Sequence, residues 1–252
     1  MKPAAGGNRE RPLAFYLTTE HGCSYLVGRQ ARTLFADPLA RMDVGLYQTL
    51  IDQGFRRSGA HVYRPACRDC NRCVPVRIPV DAFRPNRSQR RNWARNAREF
   101  SLVATQPVFD PGHFALYLRY LEHRHAEGCM AEDSSVASYC RFLVEPWGGE
   151  TCFLELRLDD RLVGIAVTDV LPYGLSAVYT FFDPDLSERG PGTFAILAQI
   201  ATARRLGLPY VYLGYWIRES RKMAYKVNYQ PLEAWDGQRW TPLKSDRGPR
   251  DN

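Results

Sequence analysis

The apolar positions in the second half of the chain switch between two periods. Phe114, Tyr117, Leu118 and Leu121 recur at helical spacing, and 134–144 reads as a second helix. Alternation then takes over. Residues 152–158 and 162–170 predict two strands around Asp159, Asp160 and Arg161, a hairpin, and 175–182 predicts a third strand. Residues 192–206 return to the helical period, and 209–213 predicts a fourth strand. The first half is less regular: Leu39, Met42, Leu46 and Leu50 give 38–53 a helical stripe, while 74–80 alternates like a short strand. Pro79, Pro85 and Pro107 punctuate the change, which puts a domain boundary near Gln106. The expected layout is a flexible start (1–14), an N-terminal domain (15–106), a C-terminal domain (107–240) and a flexible tail (241–252).

The order of the C-terminal elements, two helices, three strands, a helix and a strand, is similar to the acyl-transferase fold of the acetyltransferase superfamily. That likeness implies an α/β (α+β) chain with an acetyltransferase-like C-terminal domain and a smaller, cysteine-containing N-terminal domain. In acetyltransferases that use coenzyme A, the turn before the long helix begins with Arg or Gln and places two glycines whose amides cradle a pyrophosphate. Here the turn reads Ser187, Glu188, Arg189, Gly190, Pro191, Gly192. Glu188 adds a negative charge and Pro191 has no N–H to donate, so a donor other than coenzyme A is expected.

Composition adds a partner class. Of 252 residues, 45% are apolar and 24% charged, enough for a sizeable core. Lys and Arg number 34 against 27 Asp and Glu, a net charge of +7 that suits a polyanion. The polar, Gly-rich start and the lack of an apolar run near ~20 residues predict a cytoplasmic protein with no membrane partner. Seven cysteines are then expected to stay reduced.

Cys67, Cys70 and Cys73 form a C-x-x-C-x-x-C cluster, a spacing that brings thiolates to a zinc or iron–sulfur centre, with Cys23 as the remaining candidate fourth ligand. The alternative is a set of structural thiols, and Cys129, Cys140 and Cys152 read as core residues. The stretch 84–98 carries Arg84, Arg87, Arg90, Arg91, Arg95 and Arg98 with no acid, interleaved with Trp93 and asparagines. Arg87, Arg91, Arg95 and Arg98 share one helix face. Such a run is either a solvated face or a phosphate-binding one, and the missing acids favour an external anion. The segment 210–229 sets Arg221, Lys222 and Lys226 among tyrosines and a tryptophan, a mixture suited to stacking on unpaired bases at a tRNA end. The histidines, His123 and His125 included, show no metal-ligand spacing.

Several segments together resemble the N-end-rule aminoacyl-tRNA-protein transferase family. They are FYLTTEHGCSYLVGRQARTLF from Phe15, GFRRSGAHVYRPACRDCNRCVPVRIPV from Gly54, YTFFDPDLSERGPGTFAILAQIATARRLGLPYVYLGYWI from Tyr179, and RKMAYKVNYQPLE from Arg221. The short form is similar to the bacterial branch. The resemblance implies leucyl-tRNA as donor, proteins with N-terminal Asp or Glu as acceptors, and marking for degradation. Some eukaryotic relatives hold iron–sulfur through an N-terminal C-x-x-C pair, of which only Cys23 is kept here. No cofactor is therefore required, although zinc or iron–sulfur at the cluster stays open. Transfer from arginyl-tRNA, coenzyme-A-dependent acetylation and a non-catalytic tRNA-binding or redox module are the competing readings.

Such a reaction needs a positioned amine and modest proton transfer. Asp183, at the end of the third strand, and Tyr179, earlier on the same face, are the candidates on the amine side, with Asp183 equally a turn residue beside Pro184. Arg64 and Arg77, which flank the cysteine cluster, are the candidates for reading an acidic N-terminus, because a guanidinium matches a carboxylate bidentately. Oligomeric state is not legible in the sequence.

Overall fold

The computed structural model describes residues 12–124 and 134–243, so Cys129, His125 and most of the expected tail lie outside the described residues. In chain order, β1 (Phe15–Leu17), β2 (His21–Gly22), β3 (Gln30–Ala31) and β4 (Thr33–Ala36) precede α1 (Val44–Asp52). β5 (Arg56–Ser58), β6 (His61–Pro65) and β7 (Val74–Pro79) lead to α2 (Arg87–Asn96) and β8 (Phe100–Thr105). α3 (Pro111–Arg124) and α4 (Val136–Tyr139, widening into a π-helical turn over Cys140–Val144) precede β9 (Glu150–Leu158), β10 (Arg161–Leu171) and β11 (Gly174–Phe182). After α5 (Pro191–Arg205) come β12 (Tyr210–Trp216), β13 (Glu233–Trp235) and β14 (Trp240–Pro242).

The chain is mixed α/β, and a large sheet dominates it. Its order is β14-β13-β7-β12-β11-β10-β9-β8, and β11–β12 is its parallel pair. Asp159 and Asp160 both take left-handed backbone, φ 48° and 62°, the two conformations that close a two-residue hairpin with the right twist. Alternation along β9 and β10 then sorts the faces. Phe153, Ile165 and Val167 pack against α3 and Tyr139 of α4, while Leu154, Leu156 and Ala166 pack towards α5. Parallel pairing of β11 and β12 requires a crossover, which α5 supplies.

The segments on either side of Gln106 share this sheet: β7 lies between β13 and β12, and β8 pairs with β9. The rest of the N-terminal part forms a four-stranded antiparallel sheet, β1-β4-β6-β5, and a β2-β3 ribbon. The helix expected over 38–53 starts only at Val44, because Asp43 caps it, its carboxylate accepting from Leu46 N at 2.8 Å. Leu39, counted in the apolar stripe, is left 93% exposed.

A buried ion pair joins the two sheets. Arg57 on β5 donates through Nε to Asp169 Oδ2 at 2.6 Å and through Nη2 to the other carboxylate oxygen, and both side chains are within 2% of full burial. Thr151 donates to Asp169 at 2.7 Å and accepts from Trp147 Nε1 at 2.8 Å. Removing one partner leaves a buried charge uncompensated, which costs about 3–5 kcal/mol. Asp169→Ala is therefore expected to lose stability of that order in urea denaturation; a loss under about 1 kcal/mol would show that Arg57 is rescued by water.

Candidate active site

β11 and β12 pair only where Gly174, Leu175 and Ser176 face Tyr210, Val211 and Tyr212. Each strand carries a bulge just beyond. The β10–β11 register slips between Val167 and Thr168, leaving Val178 as the extra residue, and the β12–β7 register slips between Tyr212 and Gly214, leaving Leu213. Bulges bend strands and raise local twist, and here the two strands part. The gap widens into a cavity of about 960 Å³ lined by Val178, Tyr179 and Thr180 of β11, Leu213 of β12, and Gly192 and Thr193 at the start of α5. That is the upper end of ordinary ligand-site volumes, roughly 300–1,000 Å³.

Aromatic hydroxyls and cations furnish the wall. Tyr25, Tyr63, Tyr117, Tyr120 and Tyr225 line it with Tyr179. Arg56 stands where the strands separate, donating through Nη2 to Val178 O at 3.0 Å. Gly214 accommodates it: its φ is +71°, and a Cβ there would meet Arg56 Nη1 at 2.9 Å, so both backbone and space demand glycine. Lys226 is 4% exposed, and its Nζ donates to Tyr215 O at 2.6 Å. Burial first, and then the Arg56 charge, hold the Lys226 ammonium well below the ordinary lysine range. Burial also works against the Arg56 charge, but a guanidinium keeps its proton throughout the physiological range. Arg141, Arg221 and Lys222 are exposed at the rim, and Glu145 is the carboxylate among the described lining residues.

The residues expected from sequence divide between this cavity and the scaffold. Tyr179 lines it, packed edge-on to Phe142 at 5.3 Å. Asp183 does not line it. Its carboxylate, 1% exposed, is held by Arg119 at 3.0 Å and Arg161 at 2.9 Å and accepts from Asp185 N, so it is a turn and ion-pair residue. Arg77 is also internal: it pairs with Glu233 at 2.7 Å and Asp52 at 3.4 Å and stacks over Tyr210 at 3.6 Å and Trp240 at 4.4 Å. Arg64 lies on β6 over the Phe55 ring, outside the cavity lining. Lys226, expected on a tRNA-facing surface, is buried in the wall, whereas Arg221 and Lys222 remain exposed.

α2 keeps Arg87, Arg91 and Arg95 exposed along one side, with Asn86 and Gln89 closing a capping box at its start. Asn92 and Asn96 face inward, while Trp93 stays partly exposed. Asn92 donates to Arg189 O at 2.8 Å and Gly190 O at 3.0 Å, Asn96 donates to Arg189 O at 2.9 Å, and Trp93 lies 5.3 Å from Phe194. The turn these residues grip uses its own amides: Gly190 N donates to Ser187 O, and Thr193 N and Phe194 N to Gly190 O.

Residues 21–91 match the family described as Arginine-tRNA-protein transferase, N terminus, and 112–236 its C terminus. The chain belongs to the arginine-tRNA-protein transferase family. It is 53% identical over 233 residues to the aspartate/glutamate leucyltransferase of Pseudomonas paraeruginosa (strain DSM 24068 / PA7), covering 92% of this chain and 97% of that one. It is 52% identical over 243 residues to the aspartate/glutamate leucyltransferase of Stenotrophomonas maltophilia (strain R551-3), covering 94% and 96%. A solved structure, the L-PGS of Bacillus licheniformis, overlaps 69% of this chain and 49% of its own at 14% identity with a TM-score of 0.43, below the level at which a shared fold follows.

In this transferase-family chain Cys23, Cys67 and Cys70 lie close enough to Cys73 to act on its charge. Burial, then repulsion from those three, push the Cys73 thiol up to about 12. Among the described residues, no three His, Cys, Asp or Glu side chains are arranged to hold a metal ion. Cys140 and Cys152 pack against the core. A raised folded-state thiol keeps its proton while the unfolded chain releases its own above ~9, so its contribution to stability is intact below that pH and is lost as pH rises towards 12. Between pH 7.5 and 10.5 the intact chain is thus expected to lose more stability in urea than Cys73→Ala does; equal losses would show that Cys73 titrates alike in the folded and unfolded chain.

Proposed function

We propose that this chain transfers leucine from leucyl-tRNA to proteins whose N-terminal residue is Asp or Glu, marking them for degradation. The observation that carries this reading is the tyrosine- and cation-lined cavity at the parting of β11 and β12, in a chain 53% identical to aspartate/glutamate leucyltransferases. In the reaction the acceptor's α-amine attacks the ester carbonyl, the new amide forms, and the ribose oxygen leaves, taking up a proton as the amine releases one. No net acid or base is consumed, so positioning is the main task. The tyrosine hydroxyls, Tyr179 among them, are the groups in the wall suited to carrying that proton and meeting the oxyanion. The exposed arginines of α2, with Arg221 and Lys222 at the rim, are read as phosphate contacts. The large sheet, with α3 and α4 on one face and α5 on the other, is read as an acyltransferase-like layout. A coenzyme A donor is disfavoured by Pro191 and by the turn amides at Gly190, Thr193 and Phe194, which already serve the turn itself. Among the described residues no helix is long and apolar enough to cross a membrane, which suits a cytoplasmic setting.

Offered leucyl-tRNA, arginyl-tRNA and acetyl-coenzyme A in parallel with an Asp-initiated peptide, the protein is expected to incorporate leucine. Arginine incorporation without leucine would turn the assignment to arginyl transfer, and acetylation alone would overturn it. Replacing Arg87, Arg91 and Arg95 with Gln is expected to reduce the slope of log affinity against log salt for tRNA by roughly 0.7–0.9 for each phosphate no longer neutralised. An unchanged slope would leave that helix as a solvated face.

A further inference from the structure

Two basic side chains of the cavity wall have no carboxylate partner, Glu145 being the carboxylate among the described lining residues. Arg56 and Lys226 line the same cavity, and the Arg56 charge works against the proton on Lys226. The Arg56 guanidinium donates to Val178 O, and the Lys226 ammonium to Tyr215 O and Met223 Sδ. Among the described residues, neither is paired with a carboxylate. Carbonyl dipoles satisfy individual N–H groups, but they do not neutralise charge, and neighbouring cations in a buried wall are costly until an anion arrives. Folding nevertheless preserves the arrangement: Gly214 forgoes a side chain so that the guanidinium lies against β12, and Tyr215 turns its carbonyl to Lys226.

We propose that Arg56 and Lys226 form the subsite that receives the side-chain carboxylate of the acceptor's N-terminal Asp or Glu. The proposal rests on the leucyltransferase reading above. Position selects this ligand over tRNA phosphate. Arg141, Arg221 and Lys222 stand exposed at the rim, where a polyanionic backbone approaches, whereas Lys226 is nearly inaccessible and Arg56 sits at the parting of the strands. A small anion at the end of a chain reaches that depth. The side-chain carboxylate, a few bonds from the reacting α-amine, is such a group, and it offsets the charge of both cations at once. An amide in its place leaves them unpaired, which is how a buried polar site rejects the wrong substrate. Arg56 and Lys226 thus take the role expected of Arg64 and Arg77.

The test compares kcat/KM for peptides that differ only in Asp or Asn at the first position, with leucyl-tRNA as donor, for the wild-type chain, Arg56→Gln and Lys226→Met. The Asp-to-Asn ratio is expected to fall about 30-fold or more in either variant, the factor equivalent to ~2 kcal/mol. Methionine suits a buried site in length and shape, so Lys226→Met reads the same ratio where Arg56→Gln does not fold. A ratio unchanged in a folded variant, whatever the absolute rates, overturns the proposal and leaves these cations structural. Weakened leucyl-tRNA binding with an unchanged ratio overturns it in favour of an RNA contact. Failure of the leucyltransferase reading itself shows earlier and separately, as a wild-type chain that moves no leucine to the Asp peptide.

Discussion

The partial pairing of β11 with β12 is the constraint around which this molecule is organised. Three residues of each strand meet in parallel register, and bulges at Val178 and Leu213 then turn the strands apart. A parallel pair that stops short exposes backbone groups in the middle of a sheet, where water or another chemical group must satisfy them. Arg56 meets the Val178 carbonyl, and α5 begins at the mouth of the same gap. The cavity is thus a product of sheet geometry, with the side chains furnishing a space that the backbone opens.

The N-terminal part of the chain works as a component of this site. Arg56 and Arg57 are adjacent on β5 and point to opposite sides of it, as strand geometry requires. Arg57 closes a buried pair with Asp169, while Arg56 enters the cavity wall. Tyr215 ties the small sheet to β12 from the other direction, donating to Gly54 O or Tyr63 O at 3.1 and 3.2 Å. Neither sheet furnishes the site alone. Arg57 and Arg77 are closed in ion pairs with Asp169 and Glu233, whereas Arg56 and Lys226 pair with no carboxylate among the described residues.

Long elements with a clean period were legible in the sequence: the β9–β10 hairpin, β11, α5 and α3 all fall where the pattern of apolar residues puts them, while α2 lies in the arginine run whose charges were placed on one helix face. Strands of two to four residues, β1 to β5 and β13 to β14, are too short to show a period. Membership of β7 in the large sheet was hidden because pairing between residues far apart in sequence leaves no local trace. Of the residues singled out in the sequence, Tyr179, Arg221, Lys222 and Lys226 line the cavity, Lys226 from a buried position. Asp183 and Arg77 are held by counter-charges outside the cavity lining, and in sequence an ionisable residue in a patterned strand looks the same whether it meets substrate or a neighbouring charge. Arg56 carried no signal beyond its place in the GFRRSG segment. It lines the cavity because of a gap between strands more than a hundred residues later in the chain.

That the parting of β11 and β12 houses the reacting ends of both substrates is tested most directly by photocrosslinking. A 3′-aminoacyl-adenosine carrying a photoreactive leucine analogue, bound to the full chain, should label residues of the cavity wall such as Tyr179, Thr193 or Tyr225, and excess Asp-initiated peptide should change the distribution within that wall. Labelling confined to the opposite face around Arg77 and Trp240, with the cavity residues unmodified, would contradict this placement of the site.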